Sequence, residues 1–285
     1  MAQLHGMTGG EGPLSYAQNS SYQRAVVDVI KPVIEEEIAL KLHIKQLSPN
    51  RSMDSFWIAD FGCSTGHNSF LAMQAVGLPG SFHECLLPKA FVHFAFSSWA
   101  LHWLSQVPKA VADPNSPAWN KGAVFYAGAK QEVYDANSSQ YAKDIESFLE
   151  ARAQELVSGG LMALLVPGFP IKGRIREEKI DSFNFPTYYT FPEELKAIIE
   201  KNGNYSIERR EIFDNPGKYA ITSAHARASL YRAVFGELLT NHFGGEIIDE
   251  VFDTYRQKLE ASPALLLPEN DKSIMIFVLL KRRVE

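Results

Sequence analysis

The chain has 285 residues and a formal net charge of −5, enough length for one large domain with a buried core, or for a core with a substantial cap. The acidic balance, with no Lys/Arg cluster before Lys281-Arg282-Arg283, speaks against a nucleic-acid face. Cys63 and Cys85 cannot build a disulfide framework, no signal peptide opens the chain and no apolar run reaches membrane-spanning length, so a cytoplasmic protein is expected.

Residues 1–20 are polar and glycine-rich, the composition of a frayed terminus, although Tyr16 and Tyr22 beside so many amide and hydroxyl groups exceed what a tail needs. From Tyr22 onward, Val26, Val27, Ile30, Val33, Ile34, Ile38 and Leu42 recur at helical spacing, and Pro32 is expected to kink or divide that helix. Phe56 to Ala59 reads as a short buried strand ending at Asp60. The small residues Gly62, Cys63, Ser64 and Gly66 let the backbone turn tightly and approach a ligand, and a helix is expected from Asn68. Strand, glycine turn and helix N-terminus together form the nucleotide-edge device of doubly wound α/β folds. The pattern is D-x-G-x-x-x-G, which lacks the second glycine a pyrophosphate needs. It suits a nucleoside without phosphates, such as S-adenosylmethionine, and equally an ordinary strand–turn–helix corner with Asp60 as a cap.

The helix from Asn68 has barely two turns before Val76-Gly77-Leu78-Pro79-Gly80 breaks it. A βαβ unit needs about 30 residues, and the second strand, which ends in an acidic residue for ribose, is missing. Either the fold is not nucleotide-binding or residues have been left out of the chain here; the second reading is preferred and predicts a chain break near Met73–Val76.

Phe91 to Phe96 is the next predicted strand, and Ser97-Ser98 lead from it into Trp99-Ala100-Leu101-His102-Trp103-Leu104. On a helix, Trp99, His102 and Trp103 would share one face, just past the carboxyl end of a strand, where open α/β sheets place ligands. The same spacing serves a core, but two indole N–H groups and an imidazole need polar partners. Trp119 to Gly122 is a turn. Glu132 to Val157 reads as a long amphipathic helix ended by Gly159-Gly160, and Leu161 to Val166 as a central strand buried on both faces. Pro167 to Arg174 is a second abrupt passage. A helix from Pro192 to Asn202, a strand over 205–213, helices over 224–236 and 243–259 and a last strand over 273–280 complete the chain. This alternation predicts an α/β fold with a largely parallel sheet.

These motifs resemble the plant SABATH carboxyl methyltransferases. The likeness rests on Met7-Thr8-Gly9-Gly10-Glu11-Gly12 with Ser15-Tyr16-Ala17-Gln18-Asn19-Ser20, on Ala59-Asp60-Phe61-Gly62-Cys63-Ser64-Thr65-Gly66 and on Pro79-Gly80-Ser81-Phe82. Leu101-His102-Trp103-Leu104-Ser105-Gln106-Val107-Pro108, Trp119-Asn120-Lys121-Gly122, Glu177 to Asn184 and His242-Phe243-Gly244 follow in family order. The resemblance implies a Rossmann-like class I methyltransferase core, mostly parallel sheet with helices on both faces, and a helical cap. Residues 1–170 would be the N-terminal arm and cofactor-binding core, 171–200 a remnant of the cap, and 201–285 the rest of the core with cap helices over 224–262.

The donor it implies is S-adenosylmethionine, leaving S-adenosylhomocysteine, and the acceptor a small plant acid of iridoid, terpenoid, jasmonate-like or benzenoid type. Matched residue by residue, Tyr16, Ser20, Asp60, Cys63, Asn68, Ser81 and Phe82 would contact the cofactor. Gln23, Trp99, His102 and Trp103 would bind the acceptor, with Gln23 and Trp103 holding its carboxylate and no acid or base required. Asn120, Asp181, Phe183 and Asn184 match a magnesium-associated cluster, or else a structural polar knot. A homodimer is expected. Two departures stand out: the acidic pair that grips the ribose is absent, as is most of the cap segment between Pro170 and Glu177. Alternatives within reach are N-methylation of a xanthine-type purine and a noncatalytic small-molecule-binding protein on the same fold.

Overall fold

The computed structural model describes residues 7–42, 56–63, 80–121, 123–170 and 183–284. Its strands are β1 (Ile58–Asp60), β2 (Val92–Ser98), β3 (Leu156–Gly168), β4 (Tyr205–Asp214) and β5 (Ile274–Arg282). They form one sheet in the order β1-β2-β3-β5-β4. The pairs β1–β2 and β2–β3 are parallel, and β5 runs antiparallel to both β3 and β4. The helices are α1 (Tyr16–Asn19), α2 (Ser21–Lys41), α3 (Lys109–Ala112), α4 (Gln131–Glu155), α5 (Pro192–Asn202), α6 (Gly217–Ala220), α7 (Ala224–Phe243) and α8 (Ile248–Ala261). Among the described residues, no helix is long and apolar enough to cross a membrane.

Period-two alternation along β3 and β5 builds a core on each face of the sheet. Leu161, Ala163, Leu165, Met275, Phe277 and Leu279 pack with Val26 and Ile30 of α2. Met162, Leu164, Val166, Ile276, Val278 and Leu280 pack on the other face with Tyr141, Ile145, Phe148 and Leu149 of α4. Both faces are covered, which is why β3 reads as an unbroken apolar run. Each such side chain contributes about 1.5–3 kcal/mol on burial.

Several boundaries differ from expectation for identifiable reasons. α2 is continuous from Ser21 to Lys41 with Pro32 inside it. Pro32 lies on the exposed side of the helix, where water can serve the carbonyl that loses its N–H partner. α4 ends at Glu155, and Gly159-Gly160 sit within β3 instead of stopping a helix. Gly159 has φ 77°, and the pairing with β2 shifts register between Val92 and Phe94 there. A bulge therefore takes the place of a helix stop. Gly203 does cap α5 in the left-handed conformation, φ 76°. α7 runs on past Gly236 to Phe243, and the N-terminal arm lies against it at Gly236: Thr8 N–H donates to the Ala233 carbonyl at 3.0 Å, and Thr8 Oγ1 sits 3.8 Å from where a Cβ at 236 would be.

The largest difference concerns 99–104, which is a compact turn and not a helix. Trp99 has φ 57°, and Trp103 N–H donates back to the Ala100 carbonyl at 3.0 Å. A second segment then fixes it: Trp103 bridges Thr187, Leu104 N–H donates to Pro186 O at 2.8 Å and Tyr188 N–H to His102 O at 2.7 Å. The helix expected from Asn68 and the break expected near Met73–Val76 lie outside the described residues.

Candidate active site

The carboxyl ends of β1 and β2, α2 and the N-terminal arm border a hollow of about 40 Å³. Met7 and Tyr16 bound it from the arm, Gln23 and Val27 from α2, Asp60, Gly62 and Cys63 from the turn after β1, and Phe96, Ser98 and Trp99 from β2. Gln23 and Val27 are one helical turn apart, so one face of α2 presents both.

Local chemistry holds each wall. Ser15 Oγ caps α1 by accepting from Gln18 N–H at 3.4 Å, and Tyr16 N–H donates to Thr8 O at 2.8 Å, tying the arm into a loop. Burial, then the charge of Asp60, pushes the Tyr16 hydroxyl well above its ordinary pKa. The same two causes raise the Cys63 thiol, so Cys63 stays a neutral thiol and is no nucleophile near neutral pH. Gly62 turns the chain at φ 78°, and a Cβ there would come within 2.2 Å of Ala100 Cβ, so only glycine fits.

Polar atoms in and beside the hollow are left without partners. Gln23 Oε1, Ser98 Oγ, Trp99 Nε1 and His102 Nδ1 are all buried and make no hydrogen bond. Buried polar groups normally pair, so such a cluster marks where a ligand completes the site. Trp99 adds backbone strain, because a bulky residue at positive φ costs about 1–3 kcal/mol, and such strain gathers at ligand sites. Burial pulls the His102 pKa down to about 3. It is therefore a neutral ring near pH 7, not a source of positive charge.

The aromatic residues form a relay. Trp99 and His102 centroids are 5.7 Å apart, His102 and Trp103 5.7 Å, and Trp103 and Phe235 5.6 Å. Only Trp99 of these borders the hollow. Trp103 is packed in an apolar cluster with Tyr16 and with Ile221, Leu230, Ala233 and Val234. Had 99–104 been a helix, the two indoles would have faced the same way; the turn separates them.

Of the other expected cofactor residues, Ser20 is buried at the junction of α1 and α2. Phe82 Cδ1 lies 3.5 Å from a Cβ built on Gly62, so its ring backs the glycine turn. Ser81 Oγ accepts from His83 N–H at 3.3 Å in the loop leading there. Asn68 lies outside the described residues. Met7, Val27, Phe96 and Ser98 were not anticipated; the available signals were the helical spacing of Val27 from Gln23 and the place of Met7 in the motif that opens the family likeness.

Of the residues expected as a magnesium cluster, the structure describes Asn120, Phe183 and Asn184. Asn120 Nδ2 donates to Asn184 Oδ1 at 2.7 Å and to Phe125 O at 3.4 Å. The Phe183 ring packs against Phe185, His242 and Phe243. Asn120 and Asn184 thus hold each other directly, and the Asn184 oxygen keeps a second lone pair. Asp181 lies outside the described residues, and among the described residues no group of three His, Cys, Asp or Glu could hold a metal.

Comparison with known proteins places this geometry. A family model described as SAM dependent carboxyl methyltransferase matches residues 2–76, 72–171 and 169–283. Loganic acid O-methyltransferase of Catharanthus roseus is 35% identical over 352 residues, covering 99% of this chain and 95% of the relative. Paraxanthine methyltransferase 2 of Arabidopsis thaliana is 30% identical over 328 residues, covering 88% of this chain and 91% of the relative. A solved structure of loganic acid methyltransferase with SAH superposes with a TM-score of 0.86 at 32% identity, covering 98% of this chain and 99% of that one. The 352 aligned positions exceed the 285 residues of the chain, and the family match divides at the two abrupt passages, near 72–76 and 169–171. Those relatives therefore carry internal residues this chain lacks. The fold is the Rossmann-like α/β methyltransferase fold, and the chain belongs to the S-adenosylmethionine-dependent carboxyl methyltransferase family.

Proposed function

We propose that the hollow between Gly62 and Trp99 brings a small carboxylic acid against the donor methyl and that the product is its methyl ester. The observation carrying this reading is the set of unpartnered buried polar atoms, Trp99 Nε1, Ser98 Oγ and Gln23 Oε1. The indole and hydroxyl are donors, and a half-turn of the Gln23 amide about its last torsion presents its NH₂ instead of Oε1. Such donors suit a carboxylate.

The residues present also fit the cationic end of the cofactor. Asp60 puts a negative charge in the wall beside Tyr16, which complements an ammonium or a sulfonium. S-adenosylmethionine, when bound, supplies a methyl on sulfonium sulfur; a carboxylate oxygen forms the new O–C bond in line as the S–C bond breaks, its electron pair staying on sulfur. A carboxylate is already ionised near neutral pH, so no residue has to take a proton, and neutral His102 is not asked to. The contribution of Gln23, Ser98 and Trp99 is alignment, an effect that reaches about 7–11 kcal/mol in well-oriented systems. Val27, Phe96 and Met7 exclude water, and dry walls favour a transition state in which two opposite charges cancel.

A panel of iridoid, terpenoid, jasmonate-like and benzenoid acids, with a labelled methyl donor, tests this. Labelled methyl ester from any member supports it. Labelled N-methyl product from a xanthine in place of an ester overturns the acid assignment. Binding of donor and acid without transfer makes the chain a noncatalytic binder.

A further inference from the structure

A buried ion pair at the end of α4 grips the loop that carries Phe82. The side chains of Arg152 and Glu155 are 0% and 1% exposed and pair through Nε and Oε2 at 2.8 Å. Arg152 Nη1 donates to the Phe82 carbonyl and Nη2 to the Glu84 carbonyl, each at 2.7 Å. The other Glu155 oxygen, Oε1, accepts from Leu86 N–H at 2.5 Å and Leu87 N–H at 2.9 Å. Backbone bonds from Ala90 N–H to Gln154 O and from Phe91 N–H to Glu155 O, 2.9 and 2.8 Å, continue the attachment into β2. The guanidinium also lies 3.8 Å above the centroid of Phe61, the residue before Gly62.

A buried ion pair is weak evidence of stabilisation, because desolvation offsets its attraction and apolar replacements are often as stable. What this pair does have is direction: it fixes four backbone groups of one loop relative to the residue that starts the glycine turn. That loop belongs to none of the five described strands, so its placement comes from side chains of α4.

We propose that Arg152 and Glu155 are positioning residues for the cofactor, setting the 81–87 loop so that Phe82 stands against Gly62 at the adenosyl end of the hollow. The proposal rests on the cofactor reading given above. Neither residue touches the acceptor wall at Gln23 and Trp99, so the two halves of the site separate in experiment.

The test measures S-adenosylhomocysteine binding by titration calorimetry on the full chain, beside the melting temperature. The double variant Arg152→Met/Glu155→Leu removes the grip without leaving a buried charge unpaired. It is expected to stay folded yet bind S-adenosylhomocysteine about tenfold or more weakly, with the acceptor KM at saturating donor within about twofold of wild type. Arg152→Lys, which keeps the charge but not the two-carbonyl fork, should fall between. Glu155→Gln, which keeps an oxygen for Leu86 and Leu87, should lose least. If the double variant does not fold, Arg152→Lys decides alone by the same split. A folded variant with unchanged affinity, or one in which acceptor KM rises in step, overturns the proposal. A wild-type chain that takes no S-adenosylhomocysteine overturns the cofactor reading, and the proposal with it.

Discussion

The rings of Tyr22 and Trp99 meet edge to face, their centroids 5.1 Å apart and their planes at 73°. Tyr22 is itself fixed: its hydroxyl oxygen accepts from Asn215 Nδ2 at 2.6 Å, and the same Nδ2 donates to Ser273 Oγ at 3.0 Å. Gly217 leaves room for the ring, since a Cβ there would lie 2.6 Å from it. Asn215, just past β4, and Ser273, just before β5, thus hold Tyr22 against Trp99, which stands in a strained backbone conformation at the wall of the hollow. An indole N–H kept unpaired in this way is ready for an acceptor.

Trp99→Phe should therefore raise the acceptor KM about tenfold, the loss of one hydrogen bond to a charged group, while S-adenosylhomocysteine affinity stays within about twofold. Trp103→Phe, in the apolar cluster behind, should change the acceptor KM by less than about threefold. Steady-state kinetics with both variants check this. The reverse order of effects would return the carboxylate to Trp103.

Much of the fold was legible before the structure. The β3 run, α4, α5 with its proline start and glycine stop, and β4 and β5 follow from periodicity and from the positions of Pro192 and Gly203. The turn at 99–104 was not legible, because aromatics spaced three and four apart look the same on a helix and in a compact turn. What selects the turn is pairing with Pro186, Thr187 and Tyr188, a tertiary contact that local sequence does not encode. Gly159-Gly160 misled for a related reason: glycine serves a bulge as well as a helix stop. In the site, the small residues after Asp60 were visible, and Gln23 was reached only through the family resemblance. The Arg152–Glu155 grip was not, since two charged residues near a helix end ordinarily face solvent.

Gly62→Ala should lower the melting temperature by about 5–10 °C, from positive-φ strain and the clash with Ala100 together. It should weaken donor and acceptor binding alike, because the turn serves both halves of the hollow. Calorimetric melting and binding on the same preparation check this, and an unchanged melting temperature would contradict the geometry at Ala100.

Acid should destabilise the fold through its buried histidines. His102 has a pKa of about 3 in the folded chain, and burial lowers His83 and His93 as well. Unfolded histidine titrates near 6.5, so below that pH the unfolded state binds more protons. The stability these groups contribute is fully present above about pH 6.5 and is lost as pH falls towards their folded values, with a slope of up to about 1.4 kcal/mol per pH unit for each group. His102→Asn should flatten the decline between pH 6.5 and 4.5 in urea melts. The kcat at saturating substrates should be level from about pH 6.5 to 9, since no group in the site has to exchange a proton.

No Asp or Glu occurs between Asp60 and Glu84, so the carboxylate that usually receives the ribose hydroxyls after a second strand is not in this chain. Removing the 2′- or 3′-hydroxyl from S-adenosylhomocysteine should change its affinity by less than about threefold, against the tenfold that one charged hydrogen bond is worth. Competition binding with the two deoxy analogues reads this out, and a loss of about tenfold would show another residue gripping the ribose.

The most direct measurement is a crystal structure with S-adenosylhomocysteine and an acceptor acid bound together. The acid's carboxylate is expected within hydrogen-bond distance of Trp99 Nε1, with one oxygen facing the sulfur across the space beside Asp60 and Gly62. An acid bound elsewhere, or seated there with its carboxylate turned away from both the indole and the sulfur, would contradict it.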